Sequence, residues 1–175
     1  MGGKPRSRER FCAPHGGGRR SDRSRIEEPA LIVAVYDTNN YISGTFWRGL
    51  PRQAIHLAKQ GRVEVVTCEL LLDELQDVLT RPDKPFGLSS EEATRVLDDV
   101  RSYTHLVVPT RKVKVCRDPS DNLVIECALA GSAQYIVTGD PDLLVLGQFE
   151  NIIIVDVRTF VATIASVSKG AEGSA

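Results

Sequence analysis

The stretch Leu31-Ile-Val-Ala-Val-Tyr36, followed directly by the polar run Asp37-Thr-Asn-Asn40, decides the fold of this chain. A short apolar run that is rich in β-branched residues and stopped by polar ones is typical of a strand buried on both faces of a parallel sheet. The polar run predicts a loop at the carboxyl end of that strand. Tyr135-Ile-Val-Thr138 repeats the pattern and is followed by Gly139-Asp140.

Helical and strand patterns alternate through the rest of the chain. Apolar residues at helical spacing, capping residues and glycine stops mark the helices, and short β-branched runs mark the strands. The alternation predicts an α/β domain with a mostly parallel sheet. Predicted strands are 31–36, 63–66, 105–108, 135–138 and 152–155, and predicted helices are 54–58, 70–79, 89–102, 123–130, 141–146 and 157–167.

Composition and charge distinguish a basic N-terminal segment from the rest of the 175 residues. The chain is 42% apolar and 26% charged, as expected for one ordinary globular domain. Residues 1–25 carry a net charge of +6, whereas the rest of the chain carries −7. We therefore expect a disordered basic N-terminal extension over residues 1–28, a globular domain over residues 30–166, and a flexible tail over residues 167–175.

Several classes of protein are excluded by the same sequence. No apolar run approaches the roughly 18 to 20 residues that a membrane-spanning helix requires. The four cysteines include no C-x-x-C pair, so no zinc site is indicated, and reduced thiols favour a cytoplasmic location. The three histidines are scattered, and there is no glycine-rich phosphate-binding motif after a strand.

Acidic residues follow several of the predicted strands. In an open parallel sheet, ligands bind beyond the carboxyl ends of the strands, so side chains at these positions are expected to meet at one edge. The acids placed there are Asp37, Glu74, Asp118, Asp121, Asp140 and Asp142. Carboxylates so close together repel one another unless a cation neutralises them, and an all-oxygen ligand set suits Mg²⁺ or Mn²⁺ rather than zinc.

Each acid also has an ordinary structural interpretation. Asp121 could cap the helix over residues 123–130, and Asp140 before Pro141 has the form of a helix N-cap. Glu74 could be an exposed acid, because Asp73 and Asp77 surround it. Capping alone does not readily explain acids at the same end of three strand-to-helix units, so the pattern favours a metal site for phosphodiester hydrolysis.

Four separated motifs in residues 31–165 resemble the PIN-domain family, most closely its branch of toxin components of toxin–antitoxin systems, the VapC-like ribonucleases. The motifs are Tyr36-Asp-Thr-Asn39, Leu71-Leu-Asp-Glu-Leu75, Arg117-Asp-Pro-Ser-Asp-Asn122 and Val137-Thr-Gly-Asp-Pro-Asp-Leu143. The resemblance implies a three-layer α/β/α domain with a central, mostly parallel sheet of about five strands. It also implies a Mg²⁺- or Mn²⁺-dependent endoribonuclease that cuts single-stranded RNA.

The resemblance further implies roles for individual residues. Asp37, Glu74, Asp121 and Asp140 match the four catalytic, metal-holding acids, with Asp142 a fifth metal-site acid. Asn39 and Thr138 match supporting polar residues. Asp118 competes with Asp121 for the third acidic position; Asp121 is preferred on its spacing to Ala128, which leaves Asp118 a supporting role. Asn40 stands where the family usually has an apolar residue.

The partners implied are an RNA substrate, a protein antitoxin and a second copy of the chain, with no membrane. Candidate phosphate contacts are Arg48, Arg52 and the cations between Arg111 and Arg117. The alternative function is a PIN-like binding module that acts through complex formation with an antitoxin or an RNA-processing assembly. A phospho-acceptor receiver domain is disfavoured because the only lysine after residue 114 is Lys169, and a D-x-D-x-T phosphatase is disfavoured because Asn39 stands at the second acidic position.

Overall fold

The computed structural model describes residues 31–172, with side chains through residue 167. The predicted extension over residues 1–28 lies outside the described residues. The strands are β1 (Ile32–Tyr36), β2 (Val63–Thr67), β3 (Thr104–Leu106), β4 (Tyr135–Val137), β5 (Gln148–Phe149) and β6 (Ile152–Val155). The helices are α1 (Thr38–Phe46), α2 (Leu50–Lys59), α3 (Glu69–Thr80), α4 (Ser90–Tyr103), α5 (Pro119–Ala130), α6 (Pro141–Leu144) and α7 (Val157–Glu172).

The strands form one sheet of six in the order β3-β2-β1-β4-β6-β5. All pairings are parallel except the short antiparallel pair of β5 with β6. The mostly parallel α/β sheet predicted from the sequence is confirmed, with β5 as the added edge strand. Strand β1 lies in the middle, where β2 and β4 cover its two edges, which explains its nearly continuous apolar character.

Helices cover both faces of the sheet and produce two cores. On one face, Ala34 and Tyr36 of β1 pack with apolar side chains of α1, α2, α3, α4 and α7. On the other face, Val35 packs with α5 and with Leu143 of α6. This alternation along β1 follows from the two-residue period of a strand. The predicted three-layer arrangement is therefore present in residues 31–172.

Three local features depart from the sequence predictions. The prediction of a loop after the first strand is wrong, because α1 begins at Thr38 and buries Tyr41 and Ile42 against the core. Helix α5 begins at Pro119 rather than at residue 123, since Asp118 supplies the N-cap. Helix α7 continues to Glu172, beyond residue 167 where the predicted helix ends, and residues 173–175 of the predicted tail lie outside the described residues.

The helix predicted over residues 89–102 begins with a capping box. Ser89 Oγ accepts a hydrogen bond from the Glu92 N–H, and Glu92 Oε2 accepts one from the Ser89 N–H. Each bond satisfies a backbone donor that the first turn of α4 would otherwise leave free. Within residues 31–172, no helix combines the length and apolar character needed to cross a membrane.

Candidate active site

The register between β1 and β4 brings two polar segments together. Tyr36 pairs with Val137, so Asp37 and Thr138, the residues that follow, lie side by side. The Asp37 N–H donates to the Val137 carbonyl at 3.0 Å, and Thr138 Oγ1 donates to Asp37 Oδ2 at 2.8 Å. Both side chains are buried. Thr138 thus holds the Asp37 carboxylate at the carboxyl edge of the sheet.

Three other acids converge at the same edge. Asp121 lies in the first turn of α5, Asp140 is the N-cap of α6, and Asp142 lies in the first turn of α6. One carboxylate oxygen from each of the three lies within 4.8 Å of the others. The Asp140 N–H donates to Thr138 Oγ1 at 2.9 Å, which ties this group to Asp37.

Glu74 approaches the group from α3. Its Oε2 lies 3.3 Å from the hydroxyl of Thr38, the residue that follows Asp37. The Glu74 side chain is half-buried. Its carboxylate also lies close enough to Asp37 for the negative charge of Asp37 to raise the pKa of Glu74, in addition to the larger effect of burial. Glu74 therefore belongs to the same electrostatic cluster, although it is outside the group of three.

Burial and neighbouring negative charges raise the pKa values of Asp37 and Asp121. Burial, followed by the charges of Asp140 and Asp118, raises the pKa of Asp121 to about 6. Burial raises the pKa of Asp37 and the charge of Asp140 adds to that, while the Thr138 hydroxyl and the Thr38 N–H oppose it. Like charges in a partly desolvated site disfavour ionisation, and a cation bound among these carboxylates would relieve that repulsion.

The site residues predicted from the sequence do not all occupy equivalent positions. Asp118 is exposed, and its Oδ1 accepts from the Ser120 N–H and hydroxyl as the N-cap of α5. These hydrogen bonds lower the pKa of Asp118, in contrast to Asp121. Asn39 is exposed, whereas the neighbouring Asn40 is buried and donates from Nδ2 to the Val137 carbonyl at 2.6 Å.

The chemistry of the donor set fits a hard divalent cation. Asp121, Asp140 and Asp142 offer oxygen ligands, and Asp37 and Glu74 add further carboxylates beside them. Mg²⁺ and Mn²⁺ prefer such oxygen ligands. Within residues 31–172, Asp121, Asp140 and Asp142 are the one group of three acidic, histidine or cysteine side chains close enough to share an ion.

Sequence reasoning missed residues that hold the site acids and the segment before α5 in place. Thr38 contacts Glu74, and two buried polar residues of α5, Asn122 and Glu126, hold the segment that precedes the helix. A signal for the second pair exists in the sequence. An amide and an acid four residues apart on an otherwise apolar helix indicate buried polar groups that need partners.

Comparison with known proteins agrees with the family and the fold. The family model of the PIN domain matches residues 33–142, so the chain belongs to the PIN domain family. The uncharacterized protein MJ1680 of Methanocaldococcus jannaschii is 30% identical over 121 residues, which cover 68% of this chain and 77% of that protein.

Two solved structures share the fold. VapBC2 from Rickettsia felis, bound to a DNA fragment from its promoter, superimposes with a TM-score of 0.52 at 17% identity over 71% of this chain and 98% of that chain. PAE2754 from Pyrobaculum aerophilum gives a TM-score of 0.52 at 17% identity over 78% and 90% of the two chains. The predicted family is confirmed. PIN domains are generally nucleases and usually bind a divalent metal.

Proposed function

We propose that this protein is a Mg²⁺- or Mn²⁺-dependent endoribonuclease that hydrolyses phosphodiester bonds of single-stranded RNA, and that it is the toxin of a toxin–antitoxin pair. One observation carries the proposal: carboxylate oxygens of Asp121, Asp140 and Asp142 lie within 4.8 Å of one another beside Asp37. Carboxylates clustered in this way, with the pKa of Asp121 raised by burial and by its acidic neighbours, are typical of sites that a cation completes. Membership of the PIN domain family supports the assignment.

In this proposal Asp37, Asp121 and Asp140 hold the cation, with Glu74 and Asp142 as further ligands. A bound divalent cation supplies a Lewis acid that activates water and stabilises charge on the phosphate. Thr138 fixes the Asp37 carboxylate and the Asp140 backbone together, and Thr38 orients Glu74.

The proposed protein partner rests on a shared fold. The Rickettsia felis structure contains VapBC2 with promoter DNA, and its fold matches 71% of this chain. A protein antitoxin and a homodimer are therefore part of the proposal.

A second candidate function, a binding module in a larger complex, is favoured by exposed aromatic residues. Phe46 stacks on Phe86 with ring centroids 5.2 Å apart, and Trp47 packs edge-on against Phe86 with half of its surface exposed. Exposed aromatic clusters of this kind are common at protein interfaces.

The test is cleavage of a panel of structured and unstructured RNAs by the purified chain in Mg²⁺, Mn²⁺ or EDTA. The matched control is the Asp37→Asn/Asp140→Asn protein, with circular dichroism to verify that it remains folded. We expect metal-dependent cutting of unstructured RNA by the wild type and none by the variant. Absence of both cutting and metal binding, the latter measured by calorimetry, would rule out the nuclease in favour of the binding module.

A further inference from the structure

A surface groove of about 510 Å³ lies between α3 and α5, along the segment that leads into α5. Lys112, Lys114 and Arg117 line it, and Leu70 and Leu123 supply apolar surface. Leu70 is about half exposed, so its apolar surface is accessible from solution. Clefts of this volume are large enough to hold a small molecule or one nucleotide.

The groove carries a net positive charge, although residues 26–175 together carry −7. Among its lining residues in the described part of the chain, the one acid is Glu126, and Lys112 Nζ lies 2.9 Å from its Oε2. Lys114 makes no ion pair with any residue between 31 and 167. Lys114 and Arg117 are exposed and can contact an anion from solution.

The backbone that carries these cations is held in place. Glu126 Oε1 accepts from the Val113 N–H at 2.9 Å, and Asn122 Oδ1 accepts from the N–H groups of Val115 and Cys116, also at 2.9 Å. The segment is therefore ordered without belonging to a helix or strand. A pre-ordered set of cations loses less conformational entropy on binding than a flexible one.

Two residues of the groove, Cys116 and Arg117, lie near the acidic cluster. Arg117 lines the groove, and its Nη2 lies 3.6 Å from Asp142 Oδ2. Cys116 also lines the groove, and the charges of Asp121 and Asp142, together with burial as the larger effect, raise the pKa of its thiol. A ligand in the groove would therefore lie next to the carboxylates.

Other cations named in the sequence analysis do not share this position. Arg111 is engaged by Glu150, with Nη2 2.7 Å from Oε1. Arg48 and Arg52 line a separate hollow together with His56. Among the cations named in the sequence analysis, Arg117 is thus the one that both lines this groove and approaches the clustered acids.

We propose that this groove binds the nucleotide next to the scissile phosphate of a single-stranded RNA. Lys114 and Arg117 contact its phosphates, and the base lies against Leu70 and Leu123. The proposal rests on the proposed function. An unpaired base fits a groove of this size, whereas duplex RNA is recognised by shape over many base pairs. RNA is favoured over an acidic peptide because the groove combines cations for phosphates with apolar surface for a base, beside an acidic cluster suited to a metal ion for phosphodiester hydrolysis.

The test measures binding of a fluorescein-labelled uridine octanucleotide by fluorescence anisotropy. The full chain is used with Asp37→Asn/Asp140→Asn as the uncut background. Adding Lys114→Glu and Arg117→Gln should weaken binding about tenfold or more. It should also reduce the salt slope of log K by about 1.4, for two lost phosphate contacts on a single strand. The charge-matched control adds Lys84→Glu and Arg95→Gln, exposed positions outside the groove, and should change the Kd less than about twofold.

Equal effects of the two double substitutions would overturn the proposal, as would an octanucleotide that does not bind the background protein. Displacement of RNA by octaglutamate at equal charge concentration would assign the groove to acidic peptides instead. A cleavage assay on proteins that retain Asp37 and Asp140 distinguishes failure of the groove proposal from failure of the proposed nuclease function. If the Lys114→Glu/Arg117→Gln protein cleaves RNA with an unchanged kcat/KM, the proposal that the groove binds RNA is overturned, whereas the proposed nuclease function stands. If the groove substitutions weaken RNA binding but the wild type shows no metal-dependent cleavage, the proposed nuclease function is overturned, whereas the groove proposal stands.

Discussion

Thr138 Oγ1 donates a hydrogen bond to Asp37 Oδ2 at 2.8 Å, across 101 residues of sequence. The same oxygen accepts a hydrogen bond from the Asp140 N–H at 2.9 Å. One buried hydroxyl therefore fixes the carboxylate after β1 and the turn after β4 relative to each other. Side chains that orient metal ligands in this way influence the site nearly as strongly as the ligands themselves.

Thr138→Val should reduce metal affinity and metal-dependent cleavage by roughly 10- to 100-fold, because valine keeps the shape of threonine but cannot form either hydrogen bond. Isothermal titration with Mn²⁺ and a cleavage assay would measure both effects. Thr138→Ser retains the hydroxyl and should restore most of the activity. If the valine and serine proteins bound Mn²⁺ equally well, the hydroxyl would have no role in positioning the acids.

Asp121→Asn should stabilise the metal-free protein, and increasingly so as the pH rises from 4 to 7. The folded state holds the Asp121 proton up to about pH 6, whereas an ordinary aspartate releases it near 3.8. Because the folded state binds this proton more tightly than the unfolded state, protonated Asp121 favours folding at low pH. This stabilisation is lost as the pH rises from about 4 to about 7. Asparagine does not titrate, so the difference from wild type isolates this group. Urea unfolding in EDTA at several pH values would measure it.

Saturating Mg²⁺ at pH 7 should reverse the order of stability, because a cation that binds only the folded state stabilises the wild type and binds the variant less well. A metal-free stability difference that did not depend on pH would contradict the raised pKa of Asp121. A stabilising effect of Mg²⁺ that was equal in both proteins would show that the ion binds elsewhere.

Asn40→Ala should lower the free energy of unfolding by about 0.5–1.5 kcal/mol, the net value of one intramolecular hydrogen bond. Asn40 is buried and donates to the Val137 carbonyl, which also accepts from the Asp37 N–H and so retains one partner in the variant. Asn39→Ala is the matched control at an exposed position and should change stability by less than about 0.5 kcal/mol. Urea denaturation of both proteins would measure the contrast, and a larger effect at Asn39 would contradict the assigned contacts.

Asn122→Ala should cost about 2 kcal/mol or more, because the side chain makes four hydrogen bonds to backbone groups of Val115, Cys116 and Asp118. It should also speed amide hydrogen exchange at residues 115 and 116. Asn151→Ala, at an exposed turn, is the control and should be close to neutral. Unchanged exchange at residues 115 and 116 would show that another contact holds this segment.

The sequence located the acids because their positions depend on local patterns. An apolar strand that ends at Asp37 and another that ends before Asp140 are visible from periodicity and turn residues alone. The helix after Asp37 was missed because the run Thr38-Asn-Asn40 has low helix propensity. Burial of Tyr41 and Ile42 against the core outweighs that preference. The burial of Asn40 was not predicted for a similar reason, since the β1–β4 pairing supplies its carbonyl partner.

By itself, the sequence determined the alternation of strands and helices, the family motifs and the set of acids at strand ends. These properties depend on residues within about ten positions of one another, where burial pattern and turn chemistry dominate. The tertiary structure alone decided which acids meet. The sheet order places β4 beside β1, and this brings residues 37 and 138 into contact and Asp121 to within reach of Asp140 and Asp142. It also decided that Asp118 caps a helix while Asp121 joins the cluster, because distances between segments far apart in sequence are set by strand pairing and helix packing rather than by local propensity.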